Sequence, residues 1–277
     1  MPRRFFVLGP QKTATTWLHR CLQEHPQIFV PPAVKETFFF DKYYDRGIDW
    51  YERYFRGAQR FPAAGEVAPT YFGHPAVPRR IASAYPEAAL IVCLRHPVER
   101  ARSCYLHFWG LGLTAQPFDQ AIIQFPQIVE DGLYARHLRS YRDHFPESHI
   151  TNIVYDDIVR DASDSFHRLL AFLGVSSEFV VDSLTTRVNE SKNPRARWLT
   201  HAMMLAGGWL HSKGLHNVVK VGKAVGLRRM LYRPDKKPSF VFTDEQKRRL
   251  IDYYRNDTGE LGLMLGRNFS QMWFNKM

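Results

Sequence analysis

Four short apolar runs, followed by longer segments with helical periodicity, constrain the fold of this chain most strongly. The apolar runs lie at residues 5–8, 65–67, 89–94 and 150–155. The helical segments lie at residues 15–24, 98–109, 131–145 and 163–173. Strands that alternate with helices indicate an α/β fold, in which helices flank a central parallel sheet. Because three of the runs are continuously apolar, we expect the sheet to be covered on both faces.

The chain has 277 residues, enough to bury a full core, and we predict one domain over residues 1–277. The residue pattern changes after about residue 190. Residues 190–240 mix apolar residues with Lys and Arg and form a basic C-terminal segment added to the predicted fold. Within it, residues 211–233 carry six Lys or Arg and no Asp or Glu. Two interpretations of this stretch stay open. It is an amphipathic helix that touches an anionic membrane or the acceptor, or a solvated helix packed by its apolar side. A terminal helix is predicted to begin after Thr243, its N-cap.

Charge and cysteine content narrow the class of partner. A net charge of +11 favours anionic partners such as nucleotides, acidic glycans or a membrane surface. No nucleic-acid-binding motif is recognisable, so nucleic acid is not a predicted partner. Three cysteines without a C-x-x-C pair argue against a disulfide scaffold and against a cysteine-built zinc site. Two of them lie in apolar runs, which favours buried thiols, and the 12 histidines lack metal-ligand spacing. We therefore predict no metal. Without an evident signal or anchor segment, we expect a cytoplasmic protein.

The first apolar run leads into a loop rich in groups that bind anions. Residues 9–18 read Gly-Pro-Gln-Lys-Thr-Ala-Thr-Thr-Trp-Leu, and a helix is predicted from Thr15. Amides at the helix N-terminus, the Lys12 ammonium and the threonine hydroxyls form a strand–loop–helix that resembles a phosphate-binding loop. The spacing fails the G-x-x-x-x-G-K-[ST] pattern, which disfavours a Mg²⁺-dependent ATPase. An ordinary polar turn is the alternative.

A second anion site is predicted after residues 89–94. Arg95 stands at the carboxyl end of a predicted strand, where open α/β sheets bind their ligands. Ser103 lies about two turns into the following helix, on a face that can return toward the strand end. An arginine fork and a hydroxyl there can hold a second phosphate group. For Arg100 and Arg102 we favour a solvated helix face.

These two segments together resemble the sulfotransferase family that uses 3′-phosphoadenosine 5′-phosphosulfate. Residues 12–18 are similar to the family's K-x-G-T-T-W-L loop, and residues 95–105 match its R-x-P-x-x-R-x-x-S-x-Y segment at every fixed position. Similarity to the heparan sulfate sulfotransferase-like branch extends to residues 25–26, 35–41, 65–72, 132–134, 145–146, 155–157, 172–174 and 265–267. Residues 196–232 match none of these motifs.

The resemblance implies transfer of a sulfuryl group from the nucleotide donor, without a metal, to an acceptor hydroxyl or amine. The acceptor class stays open among glycans, glycolipids and small natural products. The implied donor-binding residues are Gln11, Lys12, Thr13, Ala14, Thr15, Thr16, Trp17, Arg95, Ser103 and Tyr134. Lys12 is also expected to stabilise the leaving phosphate oxygen, and Glu36 to take the acceptor proton. The alternative for Glu36 is a carboxylate that merely pairs with Lys35. Weaker candidates for the base are Glu66, His74 and His107.

Two positions depart from the family pattern. Ala14 replaces the loop glycine, so the loop must shift if that position needs a positive φ. Val67 replaces the lysine of the branch's G-E-K stretch, so that cation is missing or comes from another residue. Two rival functions stay open. A small-molecule kinase predicts dependence on ATP and Mg²⁺, and a non-catalytic protein predicts binding of 3′-phosphoadenosine 5′-phosphate without turnover.

Overall fold

A five-stranded parallel sheet lies at the centre of the fold. The computed structural model describes residues 1–184, 193–194, 232–233 and 240–275. Within them, the strands of this sheet are β1 (Arg3–Leu8), β2 (Ile28–Phe29), β3 (Ala63–Val67), β4 (Ala89–Leu94) and β5 (Ile150–Val154). Their order is β2-β3-β1-β4-β5, and each pairing is parallel. The predicted α/β fold with a central parallel sheet is therefore confirmed.

Helices connect the strands and cover the sheet. The first six are α1 (Thr15–Glu24), α2 (Phe39–Lys42), α3 (Ile48–Glu52), α4 (Val77–Ala84), α5 (Pro97–Gly110) and α6 (Phe118–Gln124). The others described are α7 (Gln127–Glu130), α8 (Tyr134–Arg142), α9 (Tyr155–Arg160), α10 (Ala162–Leu173), α11 (Asp244–Leu265) and α12 (Phe269–Phe274). The terminal helix begins after Thr243 as predicted, because Thr243 and Gln246 form a reciprocal capping box. Among the described helices, none is long and apolar enough to cross a membrane.

One predicted helix, over residues 131–145, is shorter than expected. Residues 131–133 instead continue the turn that ends α7, where the Gly132 N–H bonds to Val129 O and the Leu133 N–H to Glu130 O. The helix itself begins at Tyr134. Asp257 of α11 accepts bonds from the backbone N–H groups of Ala135 and Arg136, in its first turn. A distant carboxylate thus stabilises the start of α8, which helical periodicity does not reveal.

The continuously apolar strands fill a core on each face of the sheet. In β1, Phe6 and Leu8 pack on the side of α2, α4 and α8, and Phe5 and Val7 pack on the side of α1 and α10. All four side chains are fully buried. All three cysteines are free and buried, which includes the two for which apolar runs predicted burial. The expectation of a sheet covered on both faces is confirmed, and its strand ends remain as the place for a site.

The predicted basic stretch at residues 211–233 lies outside the described residues, apart from the backbone of residues 232–233. There β7 (Tyr232–Arg233) pairs antiparallel with β6 (Asn193–Pro194). Both interpretations of the basic stretch therefore stay predictions.

Candidate active site

The loop between β1 and α1 is turned tightly by three residues with positive φ. Gly9 has φ 115°, and a Cβ there would stand 2.5 Å from the Cys93 backbone nitrogen, so only glycine fits. Lys12 has φ 78° and Ala14 has φ 71°. The position where the family has glycine therefore does adopt a left-handed conformation. The alanine found there costs about 1 kcal/mol relative to glycine.

Side-chain bonds within this loop hold its shape. The buried Thr13 hydroxyl donates to the Pro10 carbonyl at 2.7 Å. The Gln11 side-chain oxygen is buried and has no hydrogen-bond partner among the described residues. Thr13 thus closes the loop on itself, whereas the buried Gln11 oxygen is an acceptor without a partner among the described residues.

The N-terminus of α1 is open to an anion. Its N-cap is Ala14, and among the described residues no side chain caps this end of the helix. No acidic residue stands in the first turn, where Thr15 is buried and Thr16 is half-buried. The first backbone N–H groups of a helix lack intrahelical partners and carry the positive end of its dipole. The predicted anion-binding geometry at this loop is therefore present.

Three cations surround the loop. The Arg95 guanidinium donates to the Lys12 carbonyl at 3.2 Å, and the Lys35 ammonium lies 3.5 Å from Thr15 Oγ1. Burial lowers the pKa of the Lys12 ammonium, and the positive charges of Arg95 and Lys35 lower it further. A bound anion would relieve this mutual repulsion. Lys35 is not among the site residues predicted from the sequence. Its position next to Glu36 in the sequence could have indicated that it belongs there.

Arg95 is supported from beneath by two aromatic residues. Its guanidinium lies over the Tyr155 ring, 4.6 Å from the centroid. The Tyr134 hydroxyl donates to the Arg95 carbonyl at 2.6 Å, and Tyr134 is fully buried. Ser103 is half-buried in α5, two turns beyond Arg95. Tyr134 was predicted to bind the donor. In the structure its hydroxyl bonds to the Arg95 backbone, and its side chain is not exposed toward residues 9–17.

The neighbouring arginines correct one prediction. Arg100 is fully buried and donates to the carbonyls of Ile128 and Val129, at the end of α7. Arg102 is half-buried and donates to Phe240 O at 2.7 Å. The predicted solvated helix face is wrong for Arg100, which α7 covers. Arg102 keeps 34% of its side chain exposed and pairs with Glu99, although the segment before α11 covers part of it. These covering segments are distant in sequence, so local periodicity could not show them.

Glu36 lies beside Lys35 next to this loop. Its Oε1 atom is 3.2 Å from the Lys35 ammonium, and 19% of the Glu36 side chain is exposed. Burial raises the pKa of the Glu36 carboxyl, and the Lys35 charge opposes that rise. A carboxylate with a raised pKa is a better proton acceptor than an ordinary surface glutamate. The ion pair that the alternative predicted is present, and it places the carboxylate within the same cationic region as Lys12.

The weaker candidates for the base have other surroundings. Glu66 is fully buried and bonded to Thr37 and Tyr71, so it has no access to an acceptor. His74 accepts the Ala76 N–H at 3.3 Å, and His107 is half-buried at the end of α5. None of these contacts joins the cationic loop.

Two further residues of the motifs belong to the core. The Trp17 indole is buried against the second face of the sheet and donates to Ser183 O at 3.0 Å. Val67 is fully buried in the same cluster. Position 67 supplies no cation, and Lys35 forms the ion pair with Glu36. The described residues contain no group of three or more His, Cys, Asp or Glu that could hold a metal.

Comparison with known proteins identifies relatives of this architecture. A family model described as a sulfotransferase domain matches residues 2–218. Bovine bifunctional heparan sulfate N-deacetylase/N-sulfotransferase 2 is 27% identical over 285 residues, covering 95% of this chain and 29% of that protein. Mouse heparan sulfate glucosamine 3-O-sulfotransferase 6 is 33% identical over 196 residues, covering 62% of this chain and 53% of that protein. The chain thus spans about a third to a half of the length of these curated relatives.

Solved structures share the fold. A sulfotransferase from Alicyclobacillus acidocaldarius superposes with a TM-score of 0.70 at 23% identity, covering 96% of this chain and 97% of that one. The sulfotransferase domain from the curacin biosynthetic pathway has a TM-score of 0.52 at 15% identity, covering 92% and 98%. At these identities the likeness concerns the fold.

Proposed function

The chain belongs to the sulfotransferase family, and from this premise we propose that it transfers a sulfuryl group from 3′-phosphoadenosine 5′-phosphosulfate to a hydroxyl or amine of a glycan. The names of the two curated relatives, which both include heparan sulfate, support a glycan acceptor. A glycolipid or a small natural product is the alternative acceptor. The single observation that carries the proposal is the convergence of Lys12, Lys35 and Arg95 on an uncapped helix N-terminus beside Glu36.

The residues of the loop fit the donor's phosphosulfate. The free N–H groups at the start of α1 and the Lys12 ammonium are donors to its oxygens. Gln11 lies in the same loop, and its side-chain NH2 group is the part that could donate to the phosphosulfate. Arg95 and Ser103 would hold the 3′-phosphate. Tyr134 and Tyr155 act as positioning residues, because one fixes the Arg95 backbone and the other lies under its guanidinium. Thr13 and Trp17 fix the loop and its helix through their bonds to Pro10 and Ser183.

The transfer itself needs a base on one side of the sulfur and a cation on the other. The acceptor oxygen or nitrogen attacks the sulfur in line and forms the new bond, and Glu36 takes the proton that the acceptor loses. The bond from sulfur to the 5′-phosphate oxygen breaks, and its electron pair stays on that oxygen. Lys12 stabilises the charge that develops there. The products are the sulfated acceptor and 3′-phosphoadenosine 5′-phosphate.

A transfer assay with ³⁵S-labelled donor tests the proposal. The acceptors are an N-deacetylated heparosan-type polysaccharide, a glycolipid and a simple phenol, and a parallel reaction contains labelled ATP with Mg²⁺. We expect label on the polysaccharide, and a loss of about 10²- to 10⁴-fold in Glu36→Gln. The exposed Glu178→Gln is the control and should keep wild-type activity.

Other outcomes of this assay would contradict the proposal in different ways. Transfer of phosphate from ATP favours the kinase. Binding of 3′-phosphoadenosine 5′-phosphate without transfer to any acceptor favours the non-catalytic protein. Label on the glycolipid or the phenol alone keeps sulfuryl transfer and overturns the glycan acceptor.

A further inference from the structure

A buried carboxylate lies beneath the loop that carries Glu36. Glu66 belongs to β3 and is fully buried, among aromatic residues that include Tyr51 and Tyr71. Taking a carboxylate out of water costs several kcal/mol unless hydrogen bonds compensate for the lost hydration. The proposed transfer step does not use Glu66. Its burial therefore calls for another explanation.

Both oxygens of Glu66 bond to the residue that follows Glu36. Oε2 accepts the Thr37 backbone N–H at 2.9 Å, and Oε1 accepts the Thr37 hydroxyl at 3.1 Å. Oε1 also accepts the Tyr71 hydroxyl at 2.9 Å. The carboxylate thus binds the backbone and the side chain of Thr37 at once, which fixes its position in two directions.

The same cluster of oxygens holds the next turn of the chain. The Thr37 hydroxyl oxygen accepts the Phe39 N–H, and the Tyr71 hydroxyl oxygen accepts the Phe40 N–H, each at 3.2 Å. Phe38, which lies between Thr37 and Phe39 in the chain, adopts φ 55°, a left-handed conformation that a bulky residue rarely takes. Such backbone persists where surrounding bonds over-determine it. The network anchored on Glu66 does this for residues 37–40.

We propose that Glu66 is a positioning residue for Glu36. By fixing Thr37 and the turn after it, Glu66 keeps the Glu36 carboxylate beside Lys35 and the cationic loop, without touching donor or acceptor. This role rests on the proposed function, because it matters only if Glu36 accepts a proton during transfer.

The surroundings of Glu66 give this role a pH signature. Burial raises the pKa of Glu66 to about 7. The titratable groups that face it are the hydroxyls of Tyr51, Tyr71, Tyr85 and Tyr54, and farther out Arg4 pairs with Glu52. Below that pH the carboxyl gains a proton and loses acceptor capacity toward Thr37 and Tyr71. Turnover should therefore decline as the pH falls through about 7, in addition to any decline caused by Glu36.

The experiment compares Glu66→Leu, Glu66→Gln and Thr37→Val with wild type. Leucine removes the bonds, and we expect kcat to fall about 10- to 100-fold through misplacement of Glu36. Thr37→Val removes one hydroxyl and should lower kcat about fivefold. Glutamine, like the protonated carboxyl, retains one acceptor for the Thr37 N–H and loses the other, so Glu66→Gln should give a kcat between those of wild type and Glu66→Leu, close to that of wild type below pH 7, and should remove the pH dependence near 7. Affinity for 3′-phosphoadenosine 5′-phosphate, measured by calorimetry, should stay unchanged in all three.

A stability control separates positioning from damage to the fold. Leu173→Ala opens a cavity in the core on the opposite face of the sheet and should lower the melting temperature, and its kcat should be that of wild type at a temperature where it is folded. The proposal is overturned if folded Glu66→Leu keeps the wild-type kcat. It is also overturned if Glu66→Gln and Thr37→Val lose nucleotide affinity together with kcat. Should Glu66→Leu not fold, those two variants decide. A wild-type enzyme that binds nucleotide but transfers no sulfuryl group overturns the proposed function instead.

Discussion

The two loops that meet at the candidate site are held in different ways. The donor-side loop, residues 9–17, closes on itself through the bond from Thr13 to Pro10, three residues away. The acceptor-side loop, residues 35–41, is held by Glu66, which is 29 residues from Thr37. The first is therefore closed by a local bond, to which the bond from Arg95 to the Lys12 carbonyl is added. The second depends on a strand and on the buried network around it, so the same short motif could take another shape in another context.

The two loops also differ in charge. The donor-side loop has no acidic residue in the first turn of its helix and is surrounded by cations, whereas Glu36 stands at the start of the acceptor-side loop. Burial lowers the pKa of Lys12 and raises the pKa of Glu36. Opposite shifts of a neighbouring cation and carboxylate are typical of sites that use one as an electrostatic stabiliser and the other as a base.

The largest expected effect is the loss of kcat when Lys12, on the donor-side loop, is replaced. Lys12→Met removes the cation while keeping a side chain of similar length, and we expect kcat to fall about 10²- to 10³-fold, because the leaving oxygen loses its stabilising charge. Steady-state rates at saturating donor measure this. Lys247→Met on α11 is the control, since the Lys247 side chain is 39% exposed and pairs with the exposed Asp244. A wild-type kcat in Lys12→Met would remove Lys12 from the chemistry.

A smaller effect should separate the two phosphates of the donor. Arg95→Ala is expected to weaken binding of 3′-phosphoadenosine 5′-phosphate about 10- to 100-fold through lost charged hydrogen bonds. Its affinity for adenosine 5′-phosphosulfate, which lacks the 3′-phosphate, should fall much less, through the lost bond to the Lys12 carbonyl alone. The exposed Arg79→Ala controls for net charge. Equal losses for both nucleotides would contradict a role of Arg95 at the 3′-phosphate.

Tyr134→Phe tests whether the donor side, like the acceptor-side loop, depends on a hydrogen bond from a residue far away in the sequence. The variant loses only the hydroxyl that donates to the Arg95 carbonyl. One such bond contributes about 1 kcal/mol, so we expect bisphosphate affinity to fall about fivefold, with no change in the pH profile. Calorimetry on Tyr134→Phe and on Tyr253→Phe, whose ring is half-exposed on α11, measures the difference. An unchanged affinity would make the donor side self-sufficient.

The smallest effect concerns Ala14 and should be a gain. Because Ala14 adopts φ 71°, Ala14→Gly should stabilise the fold by about 1 kcal/mol. Ala171→Gly, within α10, should destabilise it by a similar amount, because that residue is helical. Thermal unfolding of both variants gives the sign directly. Destabilisation by Ala14→Gly would show that the loop does not strain its alanine.

The comparison explains what could be predicted from the sequence. Local signals were sufficient for the strands at residues 89–94 and 150–154, and for the start of the helix after Thr243. The two-residue strand β2 carries too short a pattern to be recognised. The positive φ of Lys12 and the burial of Arg100 depend on how the chain packs, which residue spacing does not report.

Within the candidate site, the same division holds. The motifs indicated the positions of Lys12, Glu36 and Arg95, which lie near one another in the fold. They did not indicate that Tyr134 bonds to the Arg95 backbone or that Glu66 lies beneath Thr37. These are contacts between residues 29 or more positions apart. A single sequence therefore suggests the reacting groups and leaves out the residues that position them.

The most direct test of the account is a calorimetric titration of the wild-type protein with 3′-phosphoadenosine 5′-phosphate and, separately, with ATP. Lys12→Ala and Arg95→Ala are measured beside it. The account predicts tight binding of the bisphosphate, weak binding of ATP, and reduced bisphosphate binding in both variants. Equal affinity for nucleotides with and without a 3′-phosphate would contradict it and return the loop to the kinase interpretation.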